Sequence, residues 1–423
     1  MANLPGAGGA SAAPAKKKFG FSVWRDIYRA EAKPARFLSV LALFGISYGL
    51  YRGIQDNYLA EIVHITAFER GIVEFFREIP GLLVVLILAW MYRFTESRIF
   101  KIGIALMAGG LIGLLLSGSG KFIVVLFMVV FSTGEHIIMP VRTTISLDLA
   151  QNNKGGASLG ITSAIGHLGN IAGFIIVTGL FFLFSRLGFL RNDILQFKAV
   201  FAAAVALMIA AVLVVLALRE STLKVKRRRF YFSKKFVKYY MLEVFYGSRK
   251  QIFITFAPYV LILHYGAGTS IISLLLAICA GFGIILSPLT GRLIDKLGYK
   301  FIMVTDTLLL IVVCFFYGFA HWIFPPRIAF IVVCINYMLD SIISMASMAS
   351  NVYVQDIASS QEEITATLST GVSVNHVISI LIALMGGWIW KVTGIEVLFS
   401  ISAFLGLLNS IYAATITKPK AAR

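Results

Sequence analysis

Runs of about twenty mostly apolar residues recur along this chain, each long enough for a helix to cross a bilayer core of about 30 Å. Such runs leave few options, because in hydrocarbon only a helix or a closed barrel satisfies its own backbone hydrogen bonds. The composition agrees: 58% of residues are hydrophobic, only 14% are charged, and the mean hydropathy is +0.86. Soluble domains carry about 25% charged residues. Taken in order, the runs predict helices over 37–64, 67–92, 99–117, 122–147, 157–184, 198–218, 237–265, 270–291, 301–320, 328–354, 367–390 and 396–416. The expected fold class is an all-α membrane protein with twelve transmembrane helices.

The formal net charge of +18 would suit nucleic acid, but its distribution does not. Most of the basic residues lie in the leader (1–36), in alternate loops, in the segment Arg219 to Lys235 and in the tail (418–423). The opposite loops hold only Lys121, Arg186, Arg191, Lys198, Arg327 and Lys391. This asymmetry follows the positive-inside rule and places both termini in the cytoplasm, with the protein in the cytoplasmic (inner) membrane. The leader has no apolar stretch of signal-peptide length, so it reads as retained. Its Phe19 to Tyr28 stretch has two readings, a short interfacial helix or a basic arm. Cys279, Cys314 and Cys334 all fall in apolar spans, as small core residues do, and show no metal-ligand spacing.

The basic segment near the middle leaves about 180 residues on each side. The expected domains are an N-terminal six-helix bundle (37–218), a linker (219–236) and a C-terminal six-helix bundle (237–417). Internal similarity supports a duplication. Asp148-Leu149-Ala150, a polar loop and Ala157-Ser158-Leu159 answer Asp356-Ile357-Ala358, a similar loop and Ala366-Thr367-Leu368. Beyond these stand His167 and His376, equally spaced from Leu159 and Leu368. Two pseudo-symmetric six-helix bundles are a carrier architecture.

Between the eighth and ninth spans the chain reads Gly291-Arg-Leu-Ile-Asp295-Lys296-Leu-Gly298-Tyr-Lys300. The glycines permit a tight turn, and Asp295 can pair with basic or helix-terminal groups. In this stretch the sequence resembles the major facilitator superfamily, whose loop signature is Gly, three residues, Asp, a base, one residue, Gly, one residue and a base. The equivalent stretch after the second span departs from it, with Arg93 in place of the acid and Glu96 in place of the second glycine. Gly160, Gly166, Gly169 and Gly173 in the fifth span read as close-packing positions, because Asn170 stands where the family's antiporter motif has proline.

Ionisable groups inside a membrane cost at least a few kcal/mol each and are functional candidates by default. The middles of spans one, four, seven and ten hold Arg52, Glu135 with His136, Arg249 with Lys250, and Asp340. Those spans line the central cavity in the family resembled. Two guanidinium groups can hold a carboxylate or phosphate through paired hydrogen bonds. The alternative is that Arg52 pairs with Glu135, and Arg249 with Asp340, only to neutralise buried charge. Gln55, Asp56, Glu74, Arg77 and Glu78 cluster toward the outer halves of spans one and two, as a gate, a proton relay or a self-neutralised patch. Gln251, Asn336 and Asn375 are expected to line the cavity. Tyr48, Tyr51 and Tyr246 offer hydroxyls or aromatic packing. Pro80 and Pro140 are expected inside helices.

Substrate contacts are therefore expected from Arg52, Gln55, His136, Arg249, Lys250, Gln251, Asn336 and Asn375. Proton coupling or gating is expected from Asp56, Glu74, Arg77, Glu78, Glu135 and Asp340. The function expected is a secondary active transporter for a small anionic or zwitterionic solute, working by alternating access and coupled to protons. A channel or a lipid or drug translocator on the same scaffold is the rival reading. A membrane-embedded transferase would need a clustered nucleophile or metal set that the spacing does not provide. No enzyme activity, cofactor, metal or nucleic acid is expected. The expected partners are solute, bilayer and protons, with the chain monomeric.

Overall fold

The computed structural model describes residues 26–28, 32–152, 154–191, 193–218 and 231–416. Most of the leader, including all of the Phe19 to Tyr28 stretch but its last three residues, lies outside the described residues, as do linker positions 219–230 and the tail. The rest forms twelve helices: α1 (Ala32–Asn57), α2 (Ala67–Trp90), α3 (Glu96–Ser117), α4 (Lys121–Leu149), α5 (Gly155–Arg186) and α6 (Ile194–Leu216) in the first half. The second half has α7 (Val237–Tyr259), α8 (Thr269–Leu297), α9 (Tyr299–Ile323), α10 (Pro326–Ile357, with a 3₁₀ turn at Met345–Ser347), α11 (Gln361–Thr393) and α12 (Ile395–Ala414). Pro80 and Pro140 lie inside α2 and α4.

Ten of these helices are long and apolar enough to cross a membrane. The other two, α2 and α7, are interrupted by charge: Glu69, Arg70, Glu74, Arg77 and Glu78 on one, Lys238, Glu243, Arg249 and Lys250 on the other. Elsewhere large apolar side chains point outward, with Leu116 74% and Phe122 80% exposed. An apolar surface of that kind is stable against lipid rather than water.

Polar side chains define several helix starts. Thr66 and Glu69 form a reciprocal capping box at α2, while Thr95, Asp193 and Ser360 cap α3, α6 and α11.

The halves repeat in three dimensions. α1 packs on α5 and α6 as α7 packs on α11 and α12; α3 packs on α4 and α6 as α9 packs on α10 and α12. The halves meet through α2 against α11 and α5 against α8, a pair that exchanges under the same two-fold relation. α1 and α7 both end in five-residue π turns, Tyr58–Ile62 and Val260–His264. Ala150 and Ala358, singled out by the internal repeat, are the C-caps of α4 and α10, with φ/ψ of −74°/141° and −72°/148°.

We call the end where α1 begins and α12 finishes the near end. At the opposite, far end the halves lock together. Arg191, after α5, donates to the carbonyls of Gly266 (2.6 Å) and Ala267 (2.7 Å) in the second half, and also to Glu61. Asn57 donates to Ala267 (3.0 Å), and Ser273 of α8 donates to the Phe174 carbonyl of α5 (2.8 Å). Gly71 of α2 lies so close to the Ala383 carbonyl of α11 that a methyl group would overlap it. Toward the near end the same helices diverge: a Cβ added at Gly160, Gly166, Gly281 or Gly283 would meet nothing.

The α5 glycines therefore split. Gly169 and Gly173 do pack closely, against Gly45 and the Ile46 to Leu50 backbone of α1; Gly166 meets Gly45 only through its carbonyl, and Gly160 does not pack closely. The loop signature is also corrected in part. Gly298, at φ +85°, is the whole turn between α8 and α9, whereas Gly291 is an ordinary helical residue. Asp295, Lys296 and Lys300 are exposed, and Asp295 has no hydrogen bond or ion pair among the described residues. Its expected pairing is absent because the near end is parted. Asp26 to Tyr28, a described stretch of the leader, dock beneath the α4–α5 loop. There Tyr28 is buried with its hydroxyl 3.0 Å from Ser158 Oγ, and Asp26 pairs with Lys154.

Candidate functional site

Because the halves touch at the far end and part toward the near end, a cavity of about 620 Å³ lies between them. That volume suits a small organic solute. From the first half it is lined by Tyr48, Arg52, Arg77, Glu78, Glu135 and His136. From the second it is lined by Tyr239, Glu243, Tyr246, Lys250, Gln251, Asn351, Asn375 and His376, among others.

The first-half wall is a connected ion network. Arg77 donates to Glu74 (2.6 and 3.0 Å) and to Glu78, and stands 3.9 Å from Glu135. Glu135 also accepts from the Tyr48 hydroxyl at 2.8 Å. Behind this layer Arg70, fully buried, joins Glu74 (2.8 Å) to Asp56 (3.2 Å) and lies 5.5 Å from the centre of the Tyr259 ring. Arg52 donates to Gln55 at 2.6 Å. Gln251 of α7 reaches across to Glu74 at 3.3 Å and donates to Thr255 at 2.7 Å. The second-half wall is less neutralised. Among the described residues Glu243 accepts only from neutral donors, Ser350 Oγ (3.1 Å) and Asn375 Nδ2 (3.3 Å). Lys250 has no carboxylate partner among the described residues, and its ammonium lies 5.9 Å from the centre of the Tyr246 ring.

Of the expected site residues, Arg52, Arg77, Glu78, Glu135, His136, Lys250, Gln251 and Asn375 line the cavity. Gln55, Asp56 and Glu74 sit one layer behind it, buried. Three expectations fail. Arg249 faces away and is buried against Asp306 of α9 at 3.1 Å. Asn336 turns back on its own helix and donates to the Val332 carbonyl at 2.8 Å. Asp340 is not in the cavity wall, and among the described residues it makes no hydrogen bond or ion pair. Neither expected charge pair, Arg52 with Glu135 or Arg249 with Asp340, is present. Tyr51 packs against Phe131, ring centres 4.5 Å apart, and is not a cavity hydroxyl.

The register of the repeat supplies the reason. Counting back equally from the two π turns, Lys250 answers Tyr48, which faces the cavity. Arg249 answers Ser47, whose hydroxyl is spent on the Ala204 carbonyl of α6. Counting back equally from the Ala150 and Ala358 caps, Asp340 stands level with Ser132, not with Glu135. A shift of one to three residues turns a helical side chain onto another face.

Sequence reasoning missed Glu243, Arg70 and Asp306. Glu243, Tyr246 and Lys250 recur at the three- and four-residue spacing of one helical face, and Arg70 lies one turn before Glu74, so both signals were present. Asp306 carried none beyond being an acid in an apolar span.

A family model described as "Major Facilitator Superfamily" matches residues 37–378. The chain belongs to the Major Facilitator Superfamily. It is accordingly a membrane transporter and not an enzyme. Among solved structures, the nucleoside transporter NupG matches with a TM-score of 0.69 at 13% identity, over 92% of this chain and 100% of that one. A POT family transporter in complex with 5-aminolevulinic acid matches at 0.68 and 14%, over 90% and 94%. A peptide transporter POT in complex with sulfate matches at 0.70 and 14%, over 94% and 99%. At these identities the likeness is one of fold. No curated protein matches the chain significantly.

Proposed function

We propose that this Major Facilitator Superfamily member is a proton-coupled secondary transporter that moves a small zwitterionic or anionic solute by alternating access. One observation carries the reading: Glu243, Tyr246 and Lys250 share a face of α7 that lines the cavity. Seven residues of helix place the backbones of Glu243 and Lys250 about 10.5 Å apart along the helix axis. Neither is neutralised by an ion-pair partner, so a ligand with a positive and a negative end can satisfy both. Arg52 on the opposite wall is a second docking point for a carboxylate or phosphate. Superfamily neighbours solved with 5-aminolevulinic acid and with sulfate hold solutes of that charge class on this scaffold.

Proton coupling is assigned to Glu243 and Glu135, the carboxylates that the cavity reaches and that accept from neutral donors. The membrane orientation belongs to the same proposal: bundles 37–218 and 237–417, a cytoplasmic basic linker, and both termini in the cytoplasm of the cell that holds the protein in its inner membrane.

The test is uptake into proteoliposomes, screened by solute charge class. Lys250→Gln should weaken binding of the transported solute while leaving thermal stability unchanged. Glu243→Gln or Glu135→Gln should abolish gradient-driven accumulation yet keep counterflow, because an amide hydrogen-bonds without titrating. Non-saturating flux without counterflow would favour a channel. Full accumulation in both acid variants would remove them as coupling sites.

A further inference from the structure

Where α2, α4 and α11 cross at the cavity wall, Glu78, His136 and His376 each turn one ligating atom to a common point, all within 4.8 Å of one another. His376 Nδ1 is 2.9 Å from Glu78 Oε2. Two atoms bound to one zinc ion at about 2.0–2.2 Å lie roughly this far apart or slightly farther. The two imidazole rings meet edge to face, with centres 5.3 Å apart.

The surroundings arrange these groups as ligands. His136 Nδ1 is 2.8 Å from the Ser132 carbonyl, and a carbonyl only accepts, so Nδ1 carries the proton and Nε2 presents its lone pair. A backbone carbonyl holding the distal nitrogen is the usual outer-shell support of a metal-bound histidine. Arg77 holds the other oxygen of Glu78 and leaves Oε2 for the cluster. Space has been kept as well. A Cβ at Gly81 would lie 2.6 Å from His136 Nε2 and 2.9 Å from His376 Cε1, so no other residue there admits both rings. His136 and Glu78 are only 7% and 6% exposed.

We infer that Glu78, His136 and His376 form a binding site for one divalent transition-metal ion of zinc-like ligand preference, bridging the two halves of the transporter. Two nitrogens and a carboxylate oxygen are a zinc donor set that leaves a fourth position, here open to the cavity. Glu78 and His136 belong to the first half and His376 to the second, so the ion clamps α2 to α11 in the far-end-closed arrangement. This revises the sequence expectation that the chain has no metal site. It holds whichever solute is carried.

The test is titration of tag-free, full-length purified protein with ZnCl₂ by calorimetry, without solute, so that it fails or succeeds independently of the transport reading. One ion per chain is expected, bound at least tenfold more weakly by His136→Asn and by His376→Asn. The rival zinc ligands are His264, His321 and Glu396 at the far end, where the two rings lie 4.6 Å apart. His321→Asn should therefore leave the affinity unchanged. In that background Co²⁺ should give the strong visible absorption of a four-coordinate ion, a reading that does not depend on the cavity variants folding. Loss of binding in His321→Asn alone overturns the assignment. So does zinc affinity in the wild type no higher than in the His136→Asn/His376→Asn double variant, or a Co²⁺ spectrum unchanged from that of the aquo ion.

Discussion

His376 Nδ1 stands 2.9 Å from Glu78 Oε2, a direct polar link at cavity depth between a second-half helix and a first-half helix. Any rocking that parts α2 from α11 at this level must break it. An ion held by both residues would make the break costlier, so ZnCl₂ should slow solute counterflow in the wild type and have little effect in His376→Asn. Equal slowing in both proteins would show that zinc acts elsewhere.

Arg249 and Asp306 form a buried pair that is only partly satisfied: Arg249 Nε and Nη1 and Asp306 Oδ1 have no hydrogen-bond partner among the described residues. Removing one member leaves a buried charge, at a cost of about 3–5 kcal/mol, whereas replacing both with apolar side chains is often neutral. Thermal unfolding should therefore show Arg249→Leu well below the wild type and Arg249→Leu/Asp306→Leu close to it. A double variant as unstable as the single one would contradict this account.

Arg191 joins Glu61 of the first half to two carbonyls of the second, and its loss removes these far-end hydrogen bonds at once. Arg191→Ala should increase modification of a single cysteine introduced into the cavity wall, as in Asn351→Cys, by reagents applied from the far side, with little loss of stability. Unchanged labelling would mean that the packing of α2 on α11 and α5 on α8 suffices for closure.

Gly173 and Gly160 sit on the same helix with opposite expectations. A Cβ at Gly173 would lie 2.5 Å from the Ile46 carbonyl and 2.6 Å from the Leu50 nitrogen, so Gly173→Ala should destabilise by about 1–3 kcal/mol through forced separation of α1 and α5. Gly160 meets nothing, and Gly160→Ala should be neutral or stabilising by up to about 1 kcal/mol from helix propensity. Differential scanning fluorimetry on the two variants checks the contrast.

The twelve helices, their duplication and the family were legible in the sequence because each rests on local information. An apolar run of bilayer length has few alternatives, and the repeat around Ala150 and Ala358 marks the same helix end twice. A base or acid at the middle of a span was likewise visible as a candidate. Which way it points was not, and Arg249 beside Lys250 shows why. Adjacent helical residues are turned about 100° from each other, so one faces Asp306 and the other the cavity, and only the packing of α7 on α11 and α12 selects between them. Glu78, His136 and His376 lie far apart in the chain and come from three helices and both halves. No spacing rule brings them together; Gly81 and the crossing of α2, α4 and α11 do.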